Sequence, residues 1–175
     1  MQSRRRDFLA VIGAGLALGT APVPAAIWAQ AQALGPITNL PLPRYVSLRS
    51  SEINVRRGPG LNYPKDWVFR RAGLPVKVIE EYGDWRHIVD SDDAGGWVYH
   101  ALLTGRRTVL VTAPKILMRK RPDAASQANA EVHQGVVARL SACRDGWCEV
   151  TIDDHRGWLP KTALWGVDPG EVFGG

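Results

Sequence analysis

Residues 83–105, GDWRHIVDSDDAGGWVYHALLTG, return at 145–166 as DGWCEVTIDDHRGWLPKTALWG. Trp85, Gly96, Trp97, Leu103 and Gly105 of the first stretch stand against Trp147, Gly157, Trp158, Leu164 and Gly166 of the second, at offsets of 62 and then 61. Upstream, Ile53, Val55, Arg56 and Pro59 recur as Ile116, Met118, Arg119 and Pro122 at an offset of 63, and Gly73 recurs as Gly135. The drift amounts to two single-residue deletions, both in segments that read as loops. Self-similarity at a period of about 60 residues marks an internal duplication.

Within each copy, short runs of alternating apolar residues lie between Gly, Asp and Pro, the pattern of strands joined by turns. In the first copy it predicts strands over 45–48, 53–56, 67–71, 75–82, 85–89 and 97–99. In the second it predicts 108–112, 116–119, 131–133, 136–142, 147–152 and 158–159. Gly83-Asp84 reads as a two-residue hairpin turn and 91–96 as a longer one. Residues 100–103 and 161–164 each have room for one helical turn. Five or six strands in so short a unit make a small barrel that buries little surface alone. Two units packed together would support each other. The expected fold class is therefore all-β, two tandem small barrels over 45–105 and 106–167.

Composition agrees. At 175 residues the chain is too short for a barrel of alternating strands and helices, which needs roughly 250. Its 18 Gly and 12 Pro argue against long helical bundles. Hydrophobic residues at 45% and charged residues at 22% are a globular balance.

Residues 1–31 read as an export signal. Arg4-Arg5-Arg6 precedes an apolar run over 8–19, and small residues lead into Ala29-Gln30-Ala31-Gln32-Ala33. The apolar run is shorter than the roughly 20 residues needed to span a bilayer. Arg4-Arg5-Arg6-Asp7-Phe8-Leu9 is similar to the twin-arginine consensus. Cleavage near Ala31 would take Arg4, Arg5, Arg6 and Asp7 with it, leaving 19 basic and 16 acidic residues and lowering the net charge from +5 to +3. The expected destination is periplasmic or secreted, where disulfides persist. With three prolines in 34–44 and no strand period, 32–44 is expected to be an extended, exposed linker. Residues 168–175 read as a tail.

The segments INVRRGPGLNYP (53–64), GDWRHI (83–88) and GGWVYHALLTG (95–105), echoed by ILMRKRP (116–122), DGWCEV (145–150) and RGWLPKTALWG (156–166), resemble bacterial SH3-like domains. The resemblance is to exported, duplicated members of alphaproteobacterial type. It implies two barrels that bind cell-wall peptide, peptidoglycan or a protein partner. The second copy departs from the pattern where Arg121 and Asp123 replace Gly58 and Gly60.

Cys143 and Cys148 flank Arg-Asp-Gly-Trp, a tight turn between two long strands, and such a hairpin brings two Cβ atoms within bridging range. Their counterparts in the first copy, Glu81 and Arg86, are an opposite-charge pair that suits the same cross-strand position. A structural disulfide is expected. Its loop is short, so its effect should lie at or below the lower end of roughly 2–4 kcal/mol. The spacing is not that of a redox pair. Pairing also leaves no thiolate for His133 or His155 to activate. There is no serine elbow and no phosphate-binding glycine loop. Asp153-Asp154-His155 and Asp90, Asp92 and Asp93 read as turn residues. No catalytic residue, metal or cofactor is expected, and the protein reads as a non-enzyme.

The aromatic residues carry the binding expectation. Trp85 and Trp147 each open a strand just after a turn, where eukaryotic SH3 domains place a groove tryptophan, and filling the barrel is the equal alternative for both. Tyr63, in the loop between Pro59 and Pro64, could face Trp85. Rings beside Arg56, Arg57 and Arg86 would suit a peptide bearing carboxylates. Trp97 and Trp158 are expected to fill the barrels; Trp67 and Trp165 carry no assignment from the sequence, although Trp165 could pack between the units. Basic pairs such as Arg70-Arg71 and Arg106-Arg107 raise a nucleic-acid reading, which the exported compartment and the modest mature charge exclude. Nor is membrane contact expected beyond the signal. Two functions are left: a binding module for wall peptide or peptidoglycan, or an interaction accessory that positions a separate periplasmic enzyme or assembly.

Overall fold

Each copy folds into a seven-stranded antiparallel sheet wrapped around its own core. The computed structural model describes residues 32–174; the export-signal reading falls on 1–31, outside the described residues. A two-stranded ribbon, β1 (Ala33–Leu34) and β2 (Pro41–Leu42), comes first. The first barrel comprises β3 (Arg44–Leu48), β4 (Ile53–Arg56), β5 (Lys65–Phe69), β6 (Pro75–Tyr82), β7 (Trp85–Val89), β8 (Gly95–Tyr99) and β9 (Leu103–Thr104). The second comprises β10 (Thr108–Val111), β11 (Lys115–Arg119), β12 (Ala128–His133), β13 (Val137–Arg144), β14 (Trp147–Ile152), β15 (His155–Pro160) and β16 (Leu164–Trp165). The strand order β5-β4-β8-β7-β6-β3-β9 repeats as β12-β11-β15-β14-β13-β10-β16. A single 3-10 turn, His100–Leu102 or Lys161–Ala163, precedes the last strand of each.

Strand alternation builds the cores. Ile53 and Val55, Val76 and Val78, and Ile88 and Val98 are fully buried in the first barrel. Val109 and Val111, Met118, Val150 and Leu159 do the same in the second. The turns repeat as well. Gly73 and Gly135, with φ of 76° and 83°, donate their N–H groups to Leu48 O and Val111 O. That left-handed region is costly for any residue with a Cβ.

The barrels pack directly. Trp165 meets Tyr45 edge to face at 5.2 Å, which seats it between the units. The buried Ser47 and Thr108 hydroxyls lie 2.6 Å apart, and Thr108 Oγ1 donates to Gly73 O at 2.6 Å. Arg71 Nη1 donates to Gly135 O across the same boundary at 2.6 Å.

The segment 32–44 is not a free tether. Glu81 sits at the end of β6 with its side chain fully buried. Its carboxylate accepts bonds from Thr38 Oγ1 at 2.6 Å, Thr38 N at 2.9 Å, Ile37 N at 3.1 Å and Arg44 Nη2 at 2.7 Å. Arg86 approaches at 3.5 Å. The prolines hid this fold-back, because the ribbon is held by one carboxylate rather than by a strand-length apolar pattern. The C-terminal segment does the corresponding thing in the second barrel. Phe173 pairs with Cys143, the counterpart of Glu81, through Cys143 N to Phe173 O at 2.7 Å and Phe173 N to Cys143 O at 3.2 Å. Arg107 holds Glu171 nearby at 2.7 Å. Each terminal segment thus covers the same edge of its own barrel.

Cys143 and Cys148 form the expected disulfide, directly opposite one another in the β13–β14 register. Glu81 and Arg86 are directly opposite in β6–β7. One barrel uses a covalent bond where the other uses a buried ion pair that also anchors the N-terminal ribbon.

Candidate ligand-binding site

Alternation that buries Val98 and Leu159 turns their neighbours outward. Trp85, His87, Trp97 and Tyr99 of the first barrel, and Trp147, Glu149, Trp158 and Pro160 of the second, share an outer face. Trp97 is half-buried and lies outside the first core, contrary to its expected role, whereas Trp158 is buried as expected, at 7% exposure. Trp97 stacks on His87 at 5.0 Å, and Trp158 lies beneath the Arg144 guanidinium at 4.9 Å. Stacking a ring on imidazole or guanidinium keeps it shielded from water without a core around it.

In the second barrel this face opens into a groove of about 580 Å³ over Trp147. Trp147 and Pro160 are opposite in the β14–β15 register and form one wall. Ile116 and Leu117 of β11 form the other, and Ala124 closes the loop end. Lys115 and Arg119 supply positive charge. Lys115 is exposed and paired with Glu131 at 2.7 Å. That pairing, chiefly the hydrogen bond from Lys115, holds the Glu131 carboxyl below the usual range. An exposed pair of this kind is worth little and exchanges readily for another carboxylate.

The first barrel differs in one decisive position. Tyr99 stands where the second barrel has Pro160, and its ring packs edge to face on Trp85 at 5.8 Å. Tyr99 also meets His100 at 4.9 Å. The result is an aromatic platform, with the exposed Tyr82 directly across from Trp85.

The basic residues expected at the site have other work. Arg56 Nη1 donates to Leu61 O at 3.1 Å and Tyr63 O at 2.6 Å, bracing the β4–β5 loop. Arg119 braces the equivalent β11–β12 loop by donating to Ser126 O at 2.9 Å. Arg57 pairs with Asp66 at 2.5 Å on the surface. Arg86 is buried and donates to the carbonyls of Gly83 and Trp85, each at 2.8 Å, so it shapes the turn under Trp85.

Tyr63 covers its own loop. A Cβ on Gly58 would overlap its ring. This accounts for the departure of the second copy: Ser126 replaces Tyr63, the ring is gone, and Arg121 fits where Gly58 was required. Gly58→Ala should cost about 1–2 kcal/mol by displacing the ring. Tyr63→Ser in the same chain should remove about 1 kcal/mol of that. Urea unfolding of the four proteins of the double-mutant cycle measures the coupling, and strictly additive effects would contradict the pairing.

The bacterial SH3 domain family matches residues 49–105 and, again, 113–166. Over 123 residues the chain is 28% identical to a Bacillus subtilis (strain 168) protein named "Putative N-acetylmuramoyl-L-alanine amidase YrvJ", covering 64% of this chain and 24% of that protein. The chain thus spans about a quarter of that relative. Among solved structures it is similar to NlpC2 from Trichomonas vaginalis, at a TM-score of 0.33 and 14% identity, covering 73% of this chain and 51% of that one. It is also similar to an NlpC/P60 family protein from Bacillus cereus ATCC 10987, at a TM-score of 0.31 and 15% identity, covering 69% and 55%.

Proposed function

The chain belongs to the bacterial SH3 domain family, and on that premise we propose that it is a non-enzymatic, exported module that binds cell-wall peptide or peptidoglycan. The groove over Trp147 carries the reading. It is open and apolar along Trp147, Pro160 and Ile116, with Lys115 and Arg119 at its edge. An extended peptide bearing carboxylates meets that combination: side chains on the rings, charge on the cations. The aromatic platform around Trp85 adds a second contact surface in the same chain, and two linked sites raise retention on a polymer far above either alone.

Other observations agree. Domains of this family are commonly cell-wall or peptidoglycan binding. The similarity to a protein named as an N-acetylmuramoyl-L-alanine amidase, and a disulfide, suit an extracytoplasmic compartment. Both cysteines are consumed in that disulfide, which supports a non-enzymatic role over thiol chemistry.

Co-sedimentation with purified sacculi tests this. Trp147→Ala should weaken retention at least tenfold, about 1.4 kcal/mol or more. Trp85→Ala should add to the loss. Unchanged retention of the folded double variant would remove the groove assignment. Failure of the wild-type protein to sediment, with capture of a defined protein partner, would replace it with the accessory role.

A further inference from the structure

Trp67 on β5 is directly opposite Val55 and packs against the first core beside Phe69, ring to ring at 5.5 Å. In the second barrel the residue opposite Met118 is Ala130, and the counterpart of Phe69 is Val132. Two large rings have become two small side chains in the same register. The exchange leaves a pocket of about 310 Å³, floored by Met118, Ala130, Val132, Val136 and Ile152. All five belong to the second core or pack against it. Met118 is larger than Val55, but that gain leaves the space unfilled. The pocket shares no lining residue with the groove over Trp147.

We propose that this pocket binds a planar aromatic side chain, an indole, presented by a peptide or protein partner. The first barrel supplies the template: its own indole covers the equivalent floor. At about 310 Å³ the space sits at the lower end of ligand pockets, suited to one ring system rather than an extended chain. The rim favours indole over phenyl. In the first barrel, Trp67 Nε1 is buried with no hydrogen-bond partner among the described residues. The second pocket carries the Glu131 and Asp153 carboxylates and the His133 and His155 imidazoles at its mouth. Among the described residues no side-chain hydrogen bond or ion pair engages the Asp153 carboxylate. An indole N–H there meets an acceptor, which a phenyl ring cannot use.

The test is a methyl-detected NMR titration of the whole exported chain with N-acetyl-L-tryptophanamide. The Ala130, Val132 and Ile152 methyl resonances should shift in a saturable way. N-acetyl-L-phenylalaninamide should bind several-fold more weakly and N-acetyl-L-leucinamide at least tenfold more weakly. Ala130→Trp should fill the site, abolish the shifts and raise the thermal midpoint. Ala130→Leu, a smaller change, should weaken binding at least fivefold in a folded protein. Absence of saturable shifts at these methyls, or shifts of undiminished affinity in the folded Leu variant, would overturn the proposal.

Discussion

Glu81→Gln is expected to destabilise the protein by about 3–5 kcal/mol at pH 7. The carboxylate is fully buried and is the single acceptor for Thr38, Ile37 and Arg44, with Arg86 beside it. A neutral amide has the same outline but removes the charge that two guanidiniums face. Breaking a buried pair from one side strands the other charge, which is why the cost is large. The N-terminal ribbon should detach first, since its Thr38 and Ile37 bonds end on this one group. Proteolysis near Thr38 in the variant, before global unfolding, reads that detachment.

The same carboxyl gives the protein an acid sensitivity. Burial pushes its pKa up, but the hydrogen bonds from Thr38, Arg44 and Ile37 outweigh that and hold it at about 2, against 4.5 unfolded. A depressed folded pKa contributes stability that is fully present above about 4.5 and lost as pH falls through about 2. The difference corresponds to about 3 kcal/mol. Urea midpoints should therefore fall between pH 5 and pH 2 in the wild type. In Glu81→Gln the part of that fall due to this group should vanish. Parallel profiles for the two proteins would show that the acid response arises elsewhere.

The duplication was legible because large, rare residues recur at nearly constant offset, and Trp85 with Trp147 fixes the register of everything between. The disulfide was legible for a related reason: Glu81 and Arg86 occupy the same two positions with opposite charges, so the pairing was visible in the copy without cysteines. What the sequence concealed were relations between side chains distant along the chain. Thr38 and Glu81 are 43 residues apart and share no pattern. Arg56 looked available to a ligand, whereas it is spent on the Leu61 and Tyr63 carbonyls of its loop. Trp97 follows glycine at the start of a short strand, and position alone did not show that alternation turns it outward. The Trp147 groove was half legible. The tryptophan announced it, but Pro160 against Tyr99, the exchange that leaves a groove in one barrel and a ring in the other, is a difference between copies rather than a likeness.

Gly157→Ala should cost about 3 kcal/mol, and Gly105→Ala within about 0.5 kcal/mol of nothing, although both glycines recur in the duplication. A Cβ at Gly157 would lie 2.6 Å from Met118 Cγ and 2.9 Å from Arg119 O. The second of these is backbone, so no rotamer change relieves it. The glycine is where β15 crosses closest to β11, next to the Arg119–Trp158 pairing that joins the two strands. Forcing them apart also separates Pro160 from Ile116, the two walls of the Trp147 groove, so sacculus retention should fall together with stability. A Cβ on Gly96 would lie 2.6 Å from Val55 Cγ1 and 2.8 Å from Arg56 O, so Gly96→Ala should match it in the first barrel. Gly105 has open space around it, while a Cβ on its counterpart Gly166, at φ 110°, would lie 2.8 Å from Thr108 O and 3.2 Å from Pro75 Cβ at the boundary between the barrels. Recurrence in the duplication is therefore no measure of need: the close approach of two strands makes Gly96 and Gly157 obligatory, and packing between barrels makes Gly166 obligatory alone. Unfolding free energies of the three alanine variants decide it, and a Gly105→Ala loss equal to that of Gly157→Ala would refute the distinction.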